Sequence, residues 1–394
     1  MNLNTGGWAS PLLQLVARLR SNGLNSTTPV TEINGGAIST TNADIALVAK
    51  GTGATLAQVP DGTIAGGNKR GTGATDWQKT RINAAYVASG VDSTISGGKN
   101  NTASGLNATV VGGNSNTASA QDSAVGGGFG NNASAQQSAI CGGNGNTASS
   151  NYSFVGGGQS NTASTSTHAT VCGGNGAIAS GQYSFIGGGN NNAATAQYGS
   201  VCGGNSNGAN GTYSFVGGGF ANQTPGSYSA IMGGVRGTTR SIIGYHVFPA
   251  CNVPIANTDG VTQSGLLLLA RETTNATATV LTSNSSAAST TNQVTLPDNS
   301  AYSFSGEVIA GVTAAGDSAR WTINGAIKRG ASAASTVMVG TPTVTMTHND
   351  AGAAAWVVAV TANATLGCIT VTVTGAAATT IRWVCKINTT EMTY

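Results

Sequence analysis

Between Ile95 and Ile231 the chain repeats one apolar and two small positions at a near-constant interval. A β-branched residue stands at Ile95, Val110, Val125, Ile140, Val155, Val171, Ile186, Val201, Val216 and Ile231, and a Gly-Gly pair follows each two positions later. The interval is 15 residues, apart from one step of 16 between Val155 and Val171. Eight residues after the β-branched position comes a small residue, as at Ala103, Ala118 and Ala133. Fifteen residues are too few for a helical repeat and suit one coil of a β-solenoid, with two short strands and two turns. The β-branched side chains, Val155, Ile186 and Val216 among them, point inward and form the core expected for the shaft. Glycine and asparagine supply the turn conformations with φ > 0. Ten coils at about 4.8 Å each give a shaft of roughly 50 Å.

A second alternation runs through the repeat. The residue after the β-branched position reads Val111, Gly126, Cys141, Gly156, Cys172, Gly187, Cys202, Gly217, Met232. Large and small side chains on neighbouring coils suggest packing in a narrow interior, so Cys141, Cys172 and Cys202 are expected to be buried and reduced. Two coils apart, they are too distant from one another for a disulfide.

Outside the repeat the periodicity changes. Residues 11–22 read as a short amphipathic helix, with Ser10 as cap, Pro11 in the first helical position and Gly23 beyond its end. Residues 1–86 then form an attachment region, 87–240 the shaft and 241–264 a neck. From 265 to 394 seven β-rich runs lie between Gly, Asn and Asp turns, predicting an antiparallel sandwich. The fold class expected is all-β: a left-handed parallel β-roll or β-solenoid of about ten coils, a C-terminal β-sandwich tip and a short N-terminal helix.

Composition narrows the function. Of 394 residues 59 are Gly and only 7% are charged, against about 25% in ordinary globular chains. The net charge is +3 and there is no basic stripe, which excludes nucleic-acid binding built on many phosphate contacts. No apolar run reaches 18 residues, so neither a membrane-spanning helix nor membrane insertion is expected, and the first residues lack the basic start of a secretory signal. Hydrophobic residues make up 39% and are periodic, which opposes disorder.

Candidate chemistry is sparse. No Asp or Glu occurs from Ser123 to Thr258, so most of the shaft cannot supply the two carboxylates of a glycosidase. His168 reads as a surface residue. Near the C-terminus His348, Asn349 and Asp350 form a polar turn, and Glu307 and Asp317 could pair, with salt bridges to basic neighbours the commoner outcome. Trp321, Trp356, Trp383 and Tyr302 lie in apolar alternation. Core packing is one reading of them, and stacking on a receptor sugar is the other. No cofactor, metal ligand set or catalytic group is expected.

The run Tyr152-Ser153-Phe154-Val155-Gly156-Gly157-Gly158-Gln159-Ser160-Asn161-Thr162-Ala163-Ser164 and its counterpart from Tyr183 resemble the head repeat of trimeric autotransporter adhesins (YadA-like). The flanks, Asp44 to Ala54, Gly265 to Arg271 and Ile381 to Cys385, resemble segments of tailed-bacteriophage tail fibre proteins. The resemblance implies a homotrimer assembled in the host cytoplasm and carried on the virion. Its N-terminal region would dock to other tail or baseplate proteins, and its tip would adhere to a host-surface glycan or protein without enzymatic activity. A spacer or capsid-decorating fibre without a receptor is the alternative, and a glycan-degrading tailspike the third reading.

Overall fold

The computed structural model describes residues 55–58, 60–249, 255–313 and 316–394. Chain contacts divide the protein into Met1–Val48 and Ala49–Tyr394. The first unit lies outside the described residues, and with it the expected helix at 11–22.

The described part is all-β. Twelve two-residue strands stack in parallel along one side, from Thr55–Leu56 and Thr75–Asp76 through Thr94–Ile95 to Ala230–Ile231. The solenoid thus has two more coils than the Gly-Gly pairs mark. A second side carries nine strands, from Thr102–Ala103 to Gln223–Thr224. Between them runs a third parallel row of single-residue bridges, Lys99↔Asn114↔Phe129 and onward to Val235. Pairing on three sides, rather than the two expected, follows from one extended residue lodged between the glycine turn and the next left-handed position.

Strand alternation sorts the residues. Val110, Val125 and Ile140 face inward opposite Ala103, Ala118 and Ala133, and all are buried. Large side chains on one wall meet alanines on the other, so the two walls complement each other in size. The second glycine of each pair has φ between +84° and +104°, and from Gly98 to Gly219 a Cβ there would collide with the backbone of the next coil. Only glycine fits.

A buried asparagine ladder completes the interior. The backbone N–H of Asn131 donates to Oδ1 of Asn116 at 3.0 Å, while its Nδ2 donates to the carbonyls of Gly127 (2.8 Å) and Gly143 (3.0 Å). Asn101, Asn146, Asn161, Asn192, Asn207 and Asn222 repeat this pattern. The ladder begins at Gln78, whose Oε1 accepts from Asn101 N–H, and ends where Gly237 N–H donates to Asn222. Ala177, on the coil after the 16-residue step, takes the place of the asparagine and interrupts it. The turn residues with φ > 0 are the neighbours of these asparagines, such as Ser115, Ser160 and Ser206.

Cys141, Cys172 and Cys202 are exposed, which corrects the expectation of burial. The residue after an inward valine points outward by the two-residue period of a strand. The alternating glycines have another cause: a Cβ on Gly126, Gly156 or Gly187 would collide with the carbonyl oxygen of the cysteine on the next coil.

Two antiparallel sheets follow the solenoid. The larger runs in the order His246–Pro249, Thr262–Thr273, Ile381–Thr393, Ser300–Val312, Ser318–Arg329, Thr343–Asn349, with Val337–Met338 on the same edge as the last. The smaller sets Cys368–Thr374 between Val357–Asn363 and the short pair Thr279–Val280 and Val294–Thr295. His246–Pro249 also pairs in parallel with the last coil. One hydrophobic core therefore joins Ile231, Ile242 and Tyr245 of the solenoid to Leu267, Trp321 and Trp383 of the tip.

Candidate functional surfaces on the solenoid and the tip

Three residues before each inward β-branched residue, the chain turns through the left-handed region. Asp92, Asn107, Asp122 and Gln137 hold this position in the early coils, with φ of 54–56°. Tyr152, His168, Tyr183, Tyr198, Tyr213 and Tyr228 hold it in the later ones, with φ of 57–64°. Identical dihedral angles send successive side chains out in the same direction, one coil rise apart. The rings consequently stack, with centroids 4.6–5.1 Å apart and planes within 7–23° of parallel. A non-glycine residue in this region costs on the order of 1 kcal/mol, and ring contact of about 0.5–1.5 kcal/mol per pair offsets it.

The stack determines what a ligand can meet. The inner rings have both faces covered, so their edges and hydroxyls face solvent. The five tyrosines are 37–60% exposed, and none of their hydroxyls has a hydrogen-bond partner among the described residues. One residue earlier in the coils stand Asn151, Thr167, Gln182, Gln197, Thr212 and Ser227, amides or hydroxyls throughout, and Gln197 Nε2 donates to Gln182 Oε1 at 3.0 Å. From residue 123 to 235 the sequence carries no formal charge. This surface offers hydroxyls, amides and ring edges to a neutral, hydroxyl-rich partner. The sequence signal was an aromatic recurring at a fixed distance before the β-branched residue.

The tip places its aromatic residues differently from the receptor-contact reading. Trp321, Trp356, Trp383 and Tyr302 are all buried, which corrects that assignment. Trp321, Trp383 and Tyr302 stand on the inward phase of their strands, and Trp356 directly precedes the strand Val357–Asn363 in the phase of its buried Val358 and Val360. Trp383 packs 5.6 Å from Trp321 and 5.7 Å from Trp356, and its Nε1 donates to Thr273 Oγ1 at 2.9 Å. Val155, Ile186 and Val216 are fully buried in the solenoid.

A buried polar clasp joins the tip to the last coil. Glu391 forms an ion pair with Arg240 and accepts from the Tyr245 hydroxyl. It also accepts from Gln263 Nε2 and Thr389 Oγ1, each at 2.7 Å. Arg240 donates to the Gly260 carbonyl at 2.8 Å and lies over the Tyr302 ring. Burial, then the Glu391 charge, pushes the Tyr245 hydroxyl well above its ordinary pKa. A Cβ on Gly265 would collide with this hydroxyl.

On the outer face of the larger sheet, Ile309, Ser318, Arg320, Thr347, His348 and Asp350 line an open cleft. Glu307 pairs with Arg320 at 2.7 Å rather than with Asp317, and that hydrogen bond holds its carboxyl below the usual range. Asp350 is likewise lowered, by the Ser318 N–H and hydroxyl, each at 2.9 Å. The Ser318 hydroxyl thus donates to Asp350 directly, so no serine–histidine relay is assembled. Among the described residues no cluster of His, Cys, Asp and Glu converges as a metal site.

No protein-family model and no curated protein matches the sequence. Similar solved structures are phage tailspikes. The tailspike of Acinetobacter baumannii phage AM24 shares 10% identity over 82% of this chain and 68% of its own, with a TM-score of 0.22. Tailspike gp49 of Acinetobacter baumannii bacteriophage Fri1, described as a capsular polysaccharide depolymerase, shares 9% over 82% and 71%, with a TM-score of 0.21. The Acinetobacter phage vB_ApiP_P1 tailspike shares 9% over 87% and 80%, with a TM-score of 0.21. The expectation of a chain without enzymatic activity is corrected here, because gp49 is an enzyme by that description.

Proposed function

We propose that the chain is a tail-associated protein of a bacteriophage virion that adheres to a host-surface glycan as a homotrimer. The observation that carries this reading is the uncharged ladder of five tyrosines and His168, with its parallel row of amide and hydroxyl side chains. A polysaccharide chain lying along the solenoid would meet a hydroxyl or amide at every coil, about every 4.8 Å. Weak contacts repeated in this way, and again on each copy, add up to avidity. The N-terminal region would supply attachment to the rest of the tail.

The test measures binding of the full chain to purified host-surface polysaccharide, beside a variant carrying Tyr183→Asn, Tyr198→Asn and Tyr213→Asn. Asparagine tolerates the left-handed backbone, so the fold is retained. At least a tenfold loss of binding is expected, and unchanged binding would refute the ladder as the contact.

The tip cleft favours a second reading, cleavage of the bound glycan. Asp350, kept below the usual carboxylate range by Ser318, would take the proton of an attacking water, and His348 on the same lining would pass one to the leaving oxygen as the glycosidic bond breaks. Reducing ends released by the native chain and lost in His348→Ala would support it. Equal release by both would remove His348 from the chemistry.

A further inference from the structure

The two glycines of each pair differ in what the chain asks of them. The second is required by its φ and by the backbone of the next coil. The first is not. At Gly97, Gly112, Gly142, Gly173, Gly203 and Gly233 the backbone is not left-handed, and a Cβ would meet nothing within 4 Å. On the other four coils, at Gly127, Gly157, Gly188 and Gly218, the space is nearly as open, but φ of +155° to +159° itself calls for glycine. On the six coils named first, glycine costs backbone entropy with no return inside the chain, yet every one of the six keeps it.

The surroundings point outward. The preceding residue belongs to the exposed row of Val111, Cys141, Cys172, Cys202 and Met232, and the same wall carries the part-exposed rings of Phe154 and Phe185. The wall is apolar and free of formal charge from 123 to 235. A surface that must stay bare at every coil accommodates something approaching its backbone at every coil. An object with that repeat, about 4.8 Å, is another solenoid of this kind.

We infer that the first-glycine row is the seat of a second copy of the chain, whose own glycine row and Cys/Phe wall pack against it. This rests on the homotrimer reading and locates its interface. Glycine lets the two backbones come close, and the cysteine and phenylalanine side chains fill the margins. No like charges oppose one another across such a contact.

The test uses the full chain with Gly142→Val, Gly173→Val and Gly203→Val. Within one chain these side chains enter open space, so circular dichroism should be unchanged while sedimentation shifts from an oligomer to the 38.6 kDa monomer, with association at least tenfold weaker. A second measurement does not depend on that variant. A chain retaining Cys172, with Cys141, Cys202 and Cys251 replaced by Ser, should give covalent dimers with a short bismaleimide. A monomeric native chain, an unchanged mass for the valine variant, or an oligomer without Cys172 cross-links would each overturn the inference. Polysaccharide binding, scored separately on the native chain and the tyrosine variant, distinguishes failure of this interface from failure of the glycan reading.

Discussion

Asn146 serves two coils with one side chain. It donates to Gly142 at 2.9 Å and Gly158 at 3.1 Å, and its Oδ1 accepts from Asn161 N–H at 2.9 Å. Replacing it by alanine leaves buried backbone groups unpaired, so Asn146→Ala should cost about 1–3 kcal/mol, read as a lower denaturant midpoint. The ladder was hard to see in the sequence because Asn beside Gly and Ser reads as turn chemistry, whereas its structural role is to satisfy the interior. Cys141 gives the opposite lesson. The two-residue period already placed it outside, but its alternation with glycine drew attention to the interior. The thiols that are buried lie in the tip, where burial pushes Cys368 up to about 11 and Cys385 up to about 12, from a usual 9.0. A folded-state pKa raised in this way contributes stability that is present below the unfolded pKa and is lost as pH rises towards the folded one. Tip stability should therefore fall as pH is raised from about 9 towards 12, with both thiols unlabelled by iodoacetamide at pH 7.5 until denaturant is added.

At the scale of elements, the join between the last coil and the sandwich depends on a few polar groups inside an apolar core. Arg240→Met would leave Glu391 buried without its cation, so about 3–5 kcal/mol of destabilisation is expected. It should appear as an earlier thermal transition of the tip. The sequence showed that β-rich segments occupy the C-terminal part but not how they meet the shaft. Residues 241–264 carry Pro and Gly that read as a neck, whereas His246–Pro249 extends the solenoid ladder on one edge and starts the larger sheet on the other. That dual role depends on the Tyr245, Gln263 and Glu391 contacts, which lie more than a hundred residues apart in part and leave no local pattern. The tyrosine ladder was legible as a recurring Tyr-Ser-Phe run, but its stacking follows from a repeated φ that only the structure displays.

Across the whole described chain, each coil touches only its neighbours, so stability is a sum of local terms and the ends matter most. In the first described coils the interior turns polar. Arg70 pairs with the buried Asp76 at 2.8 Å, and Arg81 donates to Gln58 Oε1 and to the Gln78 carbonyl. Asp76 occupies the inward position that Ile95 takes on the next coil. Arg70→Met should fray the coils before Gly105 and spare the tip, seen as amide exchange accelerated by tenfold or more at that end alone. The Asn and Gly-Gly contacts are the same from coil to coil, and the one 16-residue turn is absorbed without loss of register on the inward strands. Duplicating or deleting a 15-residue segment would then move the tip by one increment of about 4.8 Å while leaving the polar first coils and the clasp at the tip untouched. The repeat is in effect a ruler, and tandem-copy errors in the gene are enough to reset how far the tip stands from the first described coils.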